Sequence, residues 1–305
     1  MPARSGRVVV ATAIGLAVVV AAAAVVVATL ALPGPRRPTD EAVDLRTEVR
    51  DFVAAQTSHG YRPADAKERE AFGEGTAALL RGETESAARA FQEIDYHVRI
   101  RADLGGNRFA EAYDASGDAR GWGRVLVDLR AMPRLMVEVP HPGADRRSEL
   151  LGVAMFRRTP GAVLLIAGAY RRAAPDADVA HATSSAFESA HEWAVTAGLP
   201  VVQLHGFAAE SAAGADVVVS AGPDLTGALA ERVADGVSRA GFAVCRPWVT
   251  GCPGLEGTTN IQANWSDRHG GEFAHVEVAP DPRQDTAETD RLATALSLAA
   301  CGRTA

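Results

Sequence analysis

Leu135-Met136-Val137-Glu138-Val139-Pro140-His141-Pro142-Gly143-Ala144-Asp145-Arg146-Arg147-Ser148-Glu149 is the stretch on which the fold turns. Five residues of β-type, mostly apolar texture run into a proline- and glycine-bearing turn. The helical pattern Ser148–Arg158 follows. A short apolar run too brief for a helix, bounded by breakers, reads as a buried strand. Ser148 is a good N-cap, and Glu149 falls in the first turn after it. The same strand-then-helix texture recurs outward. Tyr96–Arg101, Arg124–Leu129, Val163–Ala167, Val201–Leu204, Val217–Ser220 and Ala274–Val278 fit strands, and Ser184–Ala197, Leu225–Ala240 and Thr286–Ala299 fit helices. Buried strands alternating with amphipathic helices predict an α/β domain, with a mainly parallel or mixed sheet flanked by helices. In such sheets functional residues gather beyond the carboxyl ends of the strands.

Three strand ends carry chemistry. His141 follows the strand 135–139, His205 follows Val201–Leu204, and Glu277 closes Phe273-Ala274-His275-Val276-Glu277. His275 and Glu277 are two apart, so their side chains share a face. Two histidines and a carboxylate suit a catalytic zinc site with one position left for water. Each residue also has a plain reading: a histidine at a strand end is often only capped or exposed, Asp145 fits a turn, and Glu149 is a favourable charge at a helix start. Their joint order favours the site.

That order resembles the zinc carboxypeptidase superfamily, and more closely its poly-γ-glutamate hydrolase and N-formylglutamate amidohydrolase relatives, which share a start of the Pro140-His141 type. The resemblance covers about Leu135 to Pro280 and rests on four short motifs. It implies a phosphorylase/hydrolase-like α/β fold, zinc held by His141, Glu149 and His205, and Glu277 as general base. The carboxypeptidases have H-x-x-E, whereas Glu149 lies eight residues after His141 and Asp145 four. Glu149 is favoured over Asp145 because its helix start matches the family pattern. The activity implied is hydrolysis of an amide or peptide bond in a small peptide or acyl-amino acid. A non-catalytic binding or scaffolding protein is the alternative.

Further residues border this constellation. Arg171 follows another buried strand and is placed to hold a substrate carboxylate by a bidentate pair, a solvated loop charge being the other reading. Asp178 and His181 suit a supporting pair or a place in the pocket lining. The glycine-rich loop 251–265 offers Asn260, Gln262 and Asn264, which point one way if the segment is extended. Cys245 and Cys252 flank its start and can close a small disulfide loop, leaving Cys301 unpaired; free thiols are the other reading. No G-x-S-x-G element is present, which disfavours a serine hydrolase.

The remaining features concern setting. The chain has 305 residues, 31 Lys+Arg against 38 Asp+Glu, and a net charge of −7. An acidic balance disfavours nucleic acid as a partner, since phosphate binding needs clustered cations. Val8–Leu32 is an uncharged, almost wholly apolar run, preceded by Arg4 and Arg7. At about 1.5 Å per residue it is long enough to cross a membrane. The expectation is a single-pass anchor over 1–37 with the bulk of the chain outside the cytoplasm, or secretion after signal cleavage. A juxtamembrane segment and helical pair over 38–95 then precede a catalytic-type domain over 96–305.

Overall fold

In the computed structural model the described residues are Met1, 41–56, 60–116, 120–212 and 214–302. Along the chain come β1 (Glu41–Val43), α1 (Leu45–Ala54), α2 (Ala66–Leu80), α3 (Thr84–Gln92), β2 (Tyr96–Asp103), β3 (Arg108–Asp114), β4 (Arg124–Asp128), β5 (Leu135–Val139), α4 (Ser148–Arg158) and β6 (Ala162–Ile166). Then follow α5 (Ala186–Thr196), β7 (Val201–Gly206), β8 (Val217–Ser220), α6 (Ala228–Arg239), β9 (Val244–Cys245), α7 (Pro247–Thr250), α8 (Ile261–Arg268), β10 (Phe273–Val278), α9 (Pro280–Gln284) and α10 (Thr286–Ala300). The strands form one sheet in the order β1-β2-β3-β4-β6-β5-β7-β10-β8-β9. Its centre, β6-β5-β7-β10, is parallel, and β2, β3 and β4 join as antiparallel neighbours on one side.

Side chains alternate across these strands, and the two faces are covered separately. Val137, Leu164, Leu204 and Val276 point to one face and are buried beneath α1, α4, α6 and α10. Met136, Leu165, Val201 and Phe273 point to the other, beneath α2, α3, α5 and α8. The helical pair is fastened to the sheet by edge-on and stacked rings: Phe72 meets Phe91 at 5.4 Å and Tyr96 at 5.3 Å, and Tyr96 meets Trp122 at 6.1 Å. Such pairs add about 0.5–1.5 kcal/mol each beyond the area they bury. A capping box of Asp65 and Glu68 starts α2, so two otherwise orphaned amides are satisfied.

The second face is not uniformly apolar. Glu138 pairs in register with Gln203, Gln203 with His275, and His275 with Ser220. One step nearer the strand ends, His205 pairs with Glu277. A polar row therefore crosses four strands just below the carboxyl edge of the sheet.

Three expectations about setting are corrected. Among the described residues no helix is long and apolar enough to cross a membrane. Val8–Leu32, on which the single-pass anchor, the membrane partnership and the cell-membrane location were based, lies outside the described residues.

Candidate metal centre

His141 and Asp145, in the turn after β5, and His205, near the carboxyl end of β7, come together. One ligand atom from each lies within 4.8 Å of the others, and all three residues are buried. Asp145 arrives by local geometry. The Asp145 amide donates to the His141 carbonyl at 3.0 Å, so the turn after β5 is helical and places the i+4 side chain beside the i side chain. Asp145 Oδ2 then stands 3.3 Å from His141 Nδ1 and 3.4 Å from His205 Nδ1. Glu149, the acid favoured from the sequence, remains in the first turn of α4, outside the group. The cap of that helix is Arg147, at a left-handed φ of 69°, and Ser148 is its first residue. The register is thus set by the turn holding Asp145 and not by a serine cap.

Each imidazole is held from behind. His141 Nε2 lies 2.7 Å from Asp178 Oδ1. Burial resists ionisation of Asp178, but hydrogen bonds from His141 and His181 and the charge of Arg171 hold its carboxyl well below the usual range. A carboxylate only accepts, so His141 donates from Nε2 and its lone pair sits on Nδ1. His205 Nε2 lies 2.7 Å from Gln203 Oε1, which leaves His205 Nδ1 facing Asp145.

With both rings neutral, two ring nitrogens and a carboxylate oxygen converge with no proton between them. Burial opposes charge on His141, yet Asp145 and Asp178 raise its pKa. Burial also opposes charge on Asp145, yet the two imidazoles hold its carboxyl well below the usual range. Burial pushes His205 down, disfavouring its charged form. The site therefore favours one positive charge at the convergence point. Asp145 Oδ2, His275 Nδ1 and Glu277 Oε2 are all buried without a hydrogen-bond partner. Orphaned buried polar atoms in a native site point to an ion or water between them. Two histidines and one acid within mutual reach are the donor set of an open catalytic metal site, so the residues present fit a metal ion.

Glu277 stands beside this set. It pairs in register with His205, and its ligand atom lies within 4.8 Å of those of His205 and His275. Burial, then the neighbouring Asp145 charge, push its carboxyl up to about 8. The rings of His205 and His275 lie 4.4 Å apart. Gly257, at a φ of +66°, passes behind His275, where a Cβ would stand 2.7 Å from the ring.

The other sequence candidates divide. Arg171 reaches the site: its Nε and Nη2 donate to Asp178 Oδ2 at 3.1 and 2.5 Å, and Nη1 lies 3.4 Å from His141 Nδ1. Asn260 and Asn264 do not form an extended face, because Asn260 caps α8 and Asn264 lies within that helix. The Asn260 amide is buried against Gln203 at 2.6 Å, and Asn264 Nδ2 donates to the carbonyls of Thr258 and Asn260. His181 contacts Asp178 at 3.0 Å, matching the supporting pair read from the sequence. Cys245 and Cys252 form a disulfide, and Cys301 is free.

Arg283 was not anticipated. Its guanidinium is buried and donates to the carbonyls of Asp145 (2.6 Å), Arg146, Phe207 (3.1 Å), Val278 (3.0 Å) and Ala279 (3.2 Å). Those carbonyls belong to the turns after β5 and β7 and to the end of β10 and the residue after it, so one side chain laces together the three segments that carry the site. Gly206 is required beneath it, since a Cβ there would stand 2.4 Å from the guanidinium carbon.

No family model matches the chain, and no curated protein matches it. Among solved structures it is similar to a bacteriophage poly-γ-glutamate hydrolase, with 17% identity over 57% of this chain and 86% of that one, at a TM-score of 0.42. It is similar to an aspartoacylase family protein from Mesorhizobium loti, with 12% identity over 68% and 71% of the two chains, at a TM-score of 0.40. It is also similar to a metallo-carboxypeptidase from Burkholderia cenocepacia, with 13% identity over 73% and 66%, at a TM-score of 0.35. At such identities and scores, the donors themselves carry the functional reading.

Proposed function

We propose that the protein is a zinc-dependent hydrolase of an amide or peptide bond, with the metal held by His141, Asp145 and His205 and Glu277 as general base. The observation that carries this reading is the convergence of His141 Nδ1 and His205 Nδ1 on Asp145 Oδ2 at 3.3 and 3.4 Å. A nitrogen–nitrogen–oxygen donor set suits zinc. When bound, such an ion polarises the substrate carbonyl and makes water acidic enough to attack near neutral pH.

The chain's own residues supply the rest. Glu277 takes a proton from the attacking water and passes it to the leaving nitrogen as the C–N bond breaks, giving a carboxylic acid and an amine. A carboxyl raised to about 8 exchanges protons readily near neutral pH, and an added cation nearby brings it lower. Asp178 keeps His141 oriented. Arg171 Nη1, at the rim beside His141, is the donor available for a substrate carboxylate or the carbonyl oxygen. Small peptides and acyl-amino acids are the substrate class.

The test is metal analysis of the purified protein beside His141→Ala and Asp145→Ala, with hydrolysis of a panel of N-acyl-amino acids and γ-glutamyl peptides. The expected result is one metal per chain, lost in both variants. Glu277→Gln should retain the metal and lose activity by about 10²–10⁴-fold. A protein that holds no metal, or Glu277→Gln at full activity, overturns the proposal.

A further inference from the structure

Behind the metal centre lies a closed polar network whose members are 0–4% exposed: Glu138, Glu188, His191, Gln203, His205, Asn260, Gln262 and Ser266. Its hydrogen-bond directions can be read from backbone groups, whose roles are never ambiguous. The Ala263 amide donates to Asn260 Oδ1 at 2.9 Å, so the other end of that side chain, Nδ2, is the donor that meets Gln203 Oε1 at 2.6 Å. Gln262 Nε2 donates to the Val179 carbonyl at 3.0 Å, so Gln262 Oε1 is the acceptor that meets Gln203 Nε2 at 3.1 Å. Gln203 Nε2 also donates to Glu138 Oε2 at 2.9 Å. Three contacts independently set the same orientation of the Gln203 amide. Turned over, it would place oxygen against Glu138 and Gln262 and nitrogen against Asn260, with no water to compensate.

We propose that Gln203 is a positioning residue that fixes His205 in its Nε2–H tautomer and so selects Nδ1 as the nitrogen presented to Asp145. Gln203 Oε1 is an acceptor, so the nitrogen 2.7 Å from it carries the proton. Glu138 locks the amide from the other side and is itself held by His191 Nδ1 at 2.8 Å, whose Nε2 reaches Ser266 Oγ at 3.0 Å. The choice of donor atom is therefore made by the backbone at residues 179 and 263, through the side chains of Gln262 and Asn260. The metal-affinity consequence rests on the proposed metal reading; the tautomer itself does not.

Two measurements test this. In chelator-stripped protein with ¹⁵N-labelled histidine, long-range ¹H–¹⁵N correlations should show His205 neutral with its proton on Nε2. A His205 resonance with the proton on Nδ1 overturns the proposal, and this readout needs no variant to fold. In Gln203→Met, which keeps the length and removes the acceptor, the His205 tautomer should become mixed. Zn²⁺ affinity, measured by chelator competition, should then fall about 10–100-fold. Unchanged affinity together with an unchanged tautomer refutes the role. If the unmodified protein binds no Zn²⁺ while His205 still shows the Nε2–H form, the metal reading fails and the positioning of His205 stands.

Discussion

Replacing Glu277 by glutamine should make the metal-stripped protein more stable, and the gain should depend on pH in a defined way. The carboxyl has an ordinary value of 4.5 and is pushed up to about 8 in the folded chain by burial and by Asp145. Below pH 4.5 it is protonated in both folded and unfolded chains and costs nothing. Between 4.5 and 8 the unfolded chain ionises while the folded chain holds its proton, so stability falls with rising pH at about 1.4 kcal/mol per pH unit. At pH 7 the accumulated cost is about 3 kcal/mol. That is a ceiling, because Glu277 is only partly buried and some of its field is screened. Glutamine has the same shape and no such cost. Glu277→Gln should therefore match the parent near pH 4.5 and exceed it by up to 3 kcal/mol at pH 7, roughly 6–12 °C in Tm for a domain of this size. Asp145 and Asp178, whose pKa values are lowered, stabilise above their ordinary range and lose that contribution only in acid, outside this window. Glu188, raised to about 7 by burial, acts alike in both proteins and cancels. Urea unfolding in the presence of chelator, at pH 4.5, 6 and 7.5, reads the difference directly. An offset that does not grow with pH, or a variant less stable at pH 7.5, refutes the burial of Glu277 beside Asp145.

Three further outcomes follow from the same geometry. Arg283→Met should take a donor from five carbonyls, of which those of Asp145 and Val278 keep a backbone amide, and cost about 3 kcal/mol, with metal affinity reduced as the three segments loosen; urea unfolding and zinc titration measure both effects. Asp178→Asn should keep the shape but weaken the hold on His141, reducing zinc affinity about 10–100-fold by chelator competition. Reducing the Cys245–Cys252 bridge, which closes a separation of 7 residues, should lower stability by roughly 2.5 kcal/mol on the chain-entropy model, read as a drop in Tm with reductant.

The central sheet was legible because its strands are short, apolar and bounded by breakers; β5, α4 and β8 fall on the residues the periodicity marks out. β3 was not anticipated: Arg108–Asp114 mixes charge with small residues, and its strand character comes from pairing with β2 and β4. α8 was hidden for a similar reason. Asn260 through Trp265 looks like a polar loop until Asn260 is seen capping a helix whose buried face is itself polar. At the candidate site, the placement of both histidines and Glu277 could be read because they stand at strand ends. Which acid stands beside the histidines, Asp145 or Glu149, could not, since it depends on the turn after β5. Gln203 had a usable signal, lying two residues before His205 and hence on the same face. Arg283 had none: five residues past β10, in a short helix, nothing in its neighbours announces that it will reach three turns.

The lacing by Arg283 also bears on biosynthesis. The carbonyls it gathers belong to residues 145 and 146, 207, and 278 and 279, so the arginine follows all of them in the chain. A ribosome releasing the protein from its N-terminus exposes His141, Asp145 and His205 long before Glu277 and Arg283 appear. Contacts this distant in sequence form late. A chain grown only past β7 thus carries His141, Asp145 and His205 without Glu277 or the Arg283 clasp, and the group is complete only once β10 and the helix after it dock.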